Sequence, residues 1–150
     1  MVSEKFTHSL TAPMELTHKH LILRGEVANT PLLQDLHFLR SWTSSLIEAI
    51  GMEILIPPQA AYCDKVNNRG ATVLAGLTTS SLTLHIWDDT DPAVLQFDLY
   101  SCKSFLIDDV LSKINVFSLG RYEYYLLNRD QYMSHTQRIG LYPESRSVPI

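Results

Sequence analysis

The chain has 150 residues, of which 45% are hydrophobic and 19% are charged, and its formal net charge is −4. Such values are typical of one globular domain with a sizeable core, and a negative balance without a basic run argues against nucleic acid or an anionic membrane surface as a partner. Because no stretch reaches the length of a membrane span and the first residues lack the apolar segment of a secretory signal, we expect a cytoplasmic protein.

The first third of the chain predicts an arm, a strand and a helix. Residues 1–17 carry little pattern and are expected to form a peripheral arm. Residues 20–24, HLILR, predict a short buried strand. Thr30 and Pro31 provide a capping hydroxyl and a proline at the first helical position, and apolar residues then recur near helical spacing. Gly51 is the residue type that follows a helix end, so the predicted helix stops there.

The middle of the chain predicts three strands. Residues 52–56, MEILI, are a strand closed by two prolines, and residues 59–70 are expected to be a loop that ends in the turn sequence NNRG. Apolar residues alternate with other types over 71–77 and again over 82–86. The alternation is interrupted at residues 79–81, which places a turn between these two strands.

The remainder predicts two further strands and a second helix. DDTDP at 88–92 is turn chemistry, and residues 94–100 are the next strand. Residues 107–117 suit a helix, RYEYYLL from Arg121 predicts the last strand, and the polar tail at 130–150 is expected to be peripheral. The chain is therefore predicted to be a single α+β domain, a two-layer sandwich with a mainly antiparallel sheet and helices on one face.

Three side chains able to carry chemistry fall on neighbouring strands or their ends: Ser80, His85 and Cys102. Singly they predict little. Two serines in a turn are usually only a turn, a strand histidine is usually a hydrogen-bonded core residue, and a free cysteine usually packs as a small hydrophobe. Both cysteines are expected to be free thiols in a reducing compartment. The acids of DDTDP lack the alternation and the glycine of a calcium loop, so no metal site is predicted.

In this order, however, the residues carry a family resemblance. SSLTLHIWDD at 80–89 followed by FDLYSC at 97–102 resembles the core of the small prokaryotic-type S-adenosylmethionine decarboxylases. In that family a serine starts a segment of the form S-x-L-x-I-H-x-W, and D-[LV]-[FY]-[ST]-C follows. KHL at 19–21 is similar to the first strand of the family, and GAT at 70–72 is similar to its G-x-S segment.

The resemblance implies that the chain makes a pyruvoyl cofactor from Ser80. The Ser80 hydroxyl attacks the carbonyl of Thr79 and converts the amide to an ester. Loss of the α-proton, elimination and hydrolysis then divide the chain into residues 1–79 and a pyruvoyl-led 80–150. The ketone forms a Schiff base with the substrate amine and serves as the electron sink for decarboxylation.

Catalytic roles follow by position in the family motif. His85 is the base for elimination, because imidazole exchanges protons near neutral pH. Thr72 takes the place of the family's serine and steadies the oxyanion of processing. Cys102 returns a proton to the decarboxylated carbon. Thr79 stands where the family often has glutamate, and Ser81 becomes a rival nucleophile only if the alignment slips by one residue.

Three more residues are assigned to the substrate. Asp89 occupies the place of an acid that binds the ribose hydroxyls, and Tyr62 falls where an aromatic ring stacks on adenine. Trp87 completes the set, and aromatic faces attract a sulfonium cation.

The function predicted from the resemblance is self-processing decarboxylation of S-adenosylmethionine, which gives the aminopropyl donor for spermidine synthesis. The resemblance also implies a homodimer whose sites use residues from both protomers. Two alternatives stay open. One is a pyruvoyl-dependent decarboxylase of ornithine or arginine on the same scaffold, and the other is an unprocessed homologue that binds a nucleoside or regulates a partner.

Overall fold

The computed structural model describes residues 17–143, so most of the predicted arm and the last seven residues of the tail lie outside the described residues. The elements in chain order are β1 (Lys19–Val27), α1 (Leu36–Ala49), β2 (Ile54–Cys63), β3 (Gly70–Leu77), β4 (Ser80–Trp87), β5 (Ala93–Ser101), α2 (Ile107–Ile114), β6 (Arg121–Asn128) and β7 (Ser134–Leu141). The strands form one sheet in the order β2-β3-β4-β5-β1-β6-β7, and all neighbours are antiparallel. The predicted two-layer α+β sandwich is confirmed.

Alternation along the strands sorts the side chains onto two faces. One face packs under the helices and supplies the core, with Leu21, Val73, Leu84 and Phe97 at most 1% exposed. The two helices are joined over this core by a hydrogen bond from the Trp42 indole to the Lys113 carbonyl, at 2.9 Å. We call the other side the open face; its side chains include those of His20, Ile22, Thr72, Leu74, Thr83, His85, Gln96, Asp98 and Tyr125.

The first helix begins later than predicted. Thr30 makes no side-chain cap, and residues Pro31–Gln34 form a separate 3-10 turn. Asp35 caps α1 instead, because its carboxylate accepts a hydrogen bond from the backbone N–H of Phe38 at 2.9 Å and satisfies one of the free donors of the first turn. The helix end is as predicted: Gly51 has a φ of 74°, which favours glycine.

Two strands differ from the sequence prediction. β2 continues through the proline pair to Cys63, so residues 59–63 of the predicted loop at 59–70 are strand. An edge strand tolerates prolines because one row of its backbone groups has no partner, and its ladder with β3 shifts register on both sides of Ile56. β7 lies in the tail for which no element is predicted. It pairs with β6 but is exposed along nearly its whole length, so it lacks the apolar alternation that would predict it.

Neither helix in residues 17–143 has the length and apolar composition needed to cross a bilayer. Cys63 and Cys102 are free thiols, as predicted. Within the same described range, His, Cys, Asp and Glu side chains form no group of three that could hold a metal ion. Each thiol lies at the end of a strand, one closing β2 and the other directly following β5.

Candidate functional site

A two-residue turn joins β3 to β4 and contains the predicted point of cleavage. Leu77 and Ser80 lie opposite each other in the ladder, so Thr78 and Thr79 form the loop. Thr79 has a φ of 57°, in the left-handed region that β-branched residues avoid. Such a conformation costs on the order of 1–3 kcal/mol and persists only where the surrounding structure imposes it. The bond predicted to break is the one that follows this strained residue.

Pairing between β4 and β5 brings Ser80 and Cys102 together. Ser80 opens β4, and Cys102 follows the last residue of β5. The Cys102 backbone N–H donates to Ser80 Oγ at 3.0 Å, and Thr79 Oγ1 lies 2.9 Å from Cys102 Sγ. The thiol also donates to the Thr78 carbonyl at 3.7 Å. The backbone donor therefore orients the Ser80 oxygen, while Thr78 and Thr79 hold the Cys102 thiol.

These contacts change the acidity of Cys102. Hydrogen bonding by Thr79, and next by Ser80, holds the pKa of the Cys102 thiol below its usual value, although burial acts in the opposite direction. A thiol with a lowered pKa has a larger thiolate fraction near neutral pH and gives up its proton more readily. A residue that returns a proton to a carbanion must be in the protonated thiol form, and from that form a lower pKa makes the transfer more favourable.

The turn borders a cavity of about 180 Å³. Three segments form its wall: the turn with the first residue of β4, the end of β5 with the two residues after it, and the link between α1 and β2. The lining residues are Met52, Glu53, Thr78, Thr79, Ser80, Ser101, Cys102 and Lys103. Sequence reasoning missed Glu53 and Lys103. The place of Lys103 directly after Cys102 is a signal that could have found it, whereas nothing in the pattern around Glu53 connects it with the site.

Thr72 and His85 form a second cluster, on the open face. They lie opposite each other in the β3–β4 ladder, and Thr72 Oγ1 is 2.9 Å from His85 Nδ1. The Trp87 ring lies 5.8 Å from the imidazole, centre to centre. A second cavity of about 180 Å³ touches these three side chains and that of Cys63. The hydroxyl therefore fixes the orientation of the imidazole and leaves Nε2 as the nitrogen that does not contact Thr72.

The two clusters lie on opposite faces of the sheet. Ser80 and His85 are five residues apart in one strand, and an odd separation directs two side chains to opposite faces. Burial follows the same alternation, since Leu82 and Leu84 are buried and Thr83 is partly exposed. Within one chain the structure brings Ser80 and Thr79 to Cys102, and Thr72 to His85, but it does not bring these two sets into contact.

The predicted substrate-binding residues all contact neighbours in their own chain. The Tyr62 hydroxyl donates to Asp88 at 2.8 Å, the Asp89 carboxylate accepts from the Arg69 backbone at 2.9 Å, and the Trp87 indole donates to Asn68 at 3.0 Å. Burial, and then the Asp88 carboxylate, raise the pKa of Tyr62 to about 12. Tyr62 packs against the core and Trp87 lies on the open face, so the structure does not gather the set into one pocket.

A comparison with known protein families agrees with the resemblance seen in the sequence. A family model described as S-adenosylmethionine decarboxylase matches residues 19–130. The match runs from β1 through β6 and ends before β7, so it includes every predicted site residue. A search of curated proteins found no match to the chain.

Proposed function

The chain belongs to the S-adenosylmethionine decarboxylase family, and on that premise we propose that it decarboxylates S-adenosylmethionine with a pyruvoyl group made from its own Ser80. The product is the aminopropyl donor for spermidine synthesis. A pyruvoyl ketone supplies an electron sink that ordinary side chains do not offer. The observation that carries the proposal is the strained φ of 57° at Thr79, directly before a serine whose neighbours line a cavity.

The residues at the turn fit the formation of such a group. Attack of Ser80 Oγ on the carbonyl carbon of Thr79 forms an ester and frees the Ser80 nitrogen as an amine. Removal of the Ser80 α-proton and cleavage of its Cβ–Oγ bond release Thr79 as a carboxylate that keeps Oγ. Water then replaces the nitrogen, which leaves as ammonia. This series of reaction steps consumes one water and requires no oxidant or reductant.

Two features of the turn favour these reaction steps. The strain at Thr79 raises the free energy of the uncut chain, and breaking the following bond releases it. The Cys102 backbone N–H, at 3.0 Å, holds Oγ in place before attack and stabilises negative charge as that oxygen leaves with Thr79. The neighbouring Cys102 thiol is then placed to give a proton to the substrate carbon in the later decarboxylation.

The base for elimination comes from a second copy of the chain in our proposal. His85 cannot serve Ser80 of its own chain, because the two side chains lie on opposite faces of the same strand. The open face also exposes apolar side chains that a neighbour would cover: Ile22, Ile56, Leu74 and Tyr125 are 41%, 57%, 51% and 39% exposed. In the proposed pair of copies, His85 and Thr72 of one copy reach the turn of the other.

The mass of freshly made protein tests the cleavage. We expect two fragments, one ending at Thr79 and one starting at residue 80, and the second should carry a keto group that hydroxylamine or borohydride modifies. Ser80→Ala should stay whole, and the matched control Ser81→Ala should be cut like the wild type. Wild-type protein that is folded, whole and free of a trappable ketone would refute the proposal.

Co-expression of two inactive chains tests the shared site. A His85→Ala chain alone and a Ser80→Ala chain alone should both remain uncut. When they are made together with different tags, the His85→Ala chain should be cut, because its Ser80 meets the intact His85 of the other chain. Cleavage of His85→Ala on its own, or no cleavage in the mixture, would place the base elsewhere.

Release of labelled CO2 tests the substrate. Cleaved protein should release CO2 from S-adenosylmethionine and not from ornithine or arginine at the same concentration. Release from either amino acid alone would instead assign the second predicted activity to the same pyruvoyl site. The same assay on Cys102→Ser separates proton return from cleavage, since this variant should still be cut but should decarboxylate slowly.

A further inference from the structure

The cavity at the turn carries two opposite charges that the proposed reaction does not use, those of Glu53 and Lys103. Both are tied to the site through the backbone. The Thr78 N–H donates to the Glu53 carbonyl at 3.0 Å. The fully buried Ser101 hydroxyl accepts from the Lys103 N–H at 2.9 Å and donates to the Lys103 carbonyl at 2.6 Å. Among the described residues that line the cavity, Lys103 has the one positive charge.

Cleavage by the proposed route changes the charge at the turn. Hydrolysis of an ordinary peptide bond gives a carboxylate and an ammonium group that compensate each other. Here the Ser80 nitrogen leaves as ammonia, so residue 80 ends in a neutral ketone, and Thr79 gains a carboxylate with the original carbonyl oxygen and Oγ. The cavity therefore gains one negative charge with no new positive charge in the protein, beside a carboxylate already present at Glu53.

We propose that Lys103 binds the carboxylate that cleavage creates on Thr79 and holds the end of the first fragment against the cavity wall. This inference rests on the proposed function. Thr79 and Lys103 line the same cavity, and the Thr79 hydroxyl lies 2.9 Å from the sulfur of Cys102, the residue that precedes Lys103. Coulombic attraction between exposed charges in contact is modest, but the like charge of Glu53 disfavours the alternative of an unpaired carboxylate.

The pairing also has a consequence for the chemistry. An ammonium group that bound the substrate carboxylate would stabilise the group that must leave as neutral CO2, and so would stabilise the ground state more than the transition state. Once Lys103 is occupied by Thr79, it is withdrawn from that contact. Glu53 then remains as the uncompensated charge of the cavity, which suits a substrate with a net positive charge. Lys103 is thus a positioning residue and not a catalytic one.

Carboxypeptidase trimming of the cleaved protein tests the pairing, with mass spectrometry as the readout. Lys103→Met should lose Thr79 roughly 1.5- to 5-fold faster than the wild type, as expected for an exposed ion pair. Lys103→Arg should trim like the wild type, and Lys65→Met serves as a matched control outside the cavity. Added salt should speed trimming of the wild type and leave Lys103→Met unchanged, since only the former has the pair to screen.

The outcomes separate this inference from the proposed function. The intact mass is measured first, and a chain that is never cut overturns both. A chain that is cut, but in which Lys103→Met trims at the wild-type rate or Lys103→Arg trims like Lys103→Met, overturns the pairing alone. A general loss of structure is checked in the uncleavable Ser80→Ala chain, where Lys103→Met should change Tm by no more than about 2 °C. A larger change there also overturns the pairing.

Discussion

The strain at Thr79 gives the sharpest prediction about maturation. Its φ of 57° is a conformation that asparagine adopts more readily than a β-branched residue. Thr79→Asn should therefore relieve the strain, whereas Thr79→Val keeps the branching and removes only the hydroxyl. If strain in the uncut chain drives cleavage, Thr79→Asn should be cut more slowly than Thr79→Val.

The magnitude follows from the cost of the left-handed conformation, which is about 1–2 kcal/mol for residues other than glycine. In the uncleavable Ser80→Ala background, adding Thr79→Asn should give a free energy of unfolding about 1–2 kcal/mol above that given by Thr79→Val. If the transition state for cleavage no longer contains the strain, the same difference slows cleavage roughly 5- to 30-fold.

Stability is measured by urea unfolding of the uncut chains. Cleavage is measured by pulse-labelled synthesis in a cell-free system, with the two fragments resolved over time. The Thr79→Val chain is the matched control, because it loses the same contact to Cys102 as Thr79→Asn. Equal stability of the two variants, or a Thr79→Asn chain that is cut at least as fast as Thr79→Val, would show that backbone strain at this residue does not drive maturation.

Three further predictions concern the same part of the sheet. The alkylation rate of Cys102 in the uncut chain should have a pH midpoint below that of an ordinary thiol. Thr79→Val should raise that midpoint, because it removes the hydrogen bond that lowers the pKa of the thiol. Gly70→Ala should lower the free energy of unfolding by at least about 1–3 kcal/mol, because the added Cβ would lie 1.7 Å from a backbone oxygen. Gly120→Ala should lower it by less than about 1 kcal/mol, because its Cβ meets nothing nearer than 3.7 Å, and urea unfolding compares the two variants. The folded chain retains the Tyr62 proton up to a pKa of about 12, so stability should fall between pH 10 and pH 12, and Tyr62→Phe should flatten that fall in alkaline unfolding.

Most of the sheet could be predicted because half-buried strands alternate. β3, β4 and β5 each bury every second side chain, and this pattern is visible in the sequence. β2 is harder to predict, since its proline pair resembles a strand end and only its place at the sheet edge makes those residues acceptable. β7 has no buried face, so its pairing with β6 depends on backbone hydrogen bonds that no side-chain pattern reveals.

The candidate site could be predicted in part. Antiparallel strands joined by short turns bring Ser80 to Cys102 and Thr72 to His85, and the order of these residues in the sequence suffices for that inference. The separation of Ser80 from His85 depends on where the turn ends. Because β4 begins at Ser80 itself, the odd spacing to His85 spans continuous strand and places the two side chains on opposite faces. An irregular stretch of backbone between the two residues would have allowed both side chains to lie on the same face.

The interval from Ser80 to His85 also has a kinetic consequence. If Ser80 is the nucleophile and His85 is the base, as proposed, the two side chains lie on opposite faces of one strand and do not meet within an isolated chain. Maturation in the proposed mechanism then begins with an encounter, and its early rate rises with the square of the concentration of newly made chains until assembly is complete. Dilution delays it, and an excess of chains lacking Ser80 accelerates it. In the proposed mechanism, a cut chain is therefore a chain that has met a second copy.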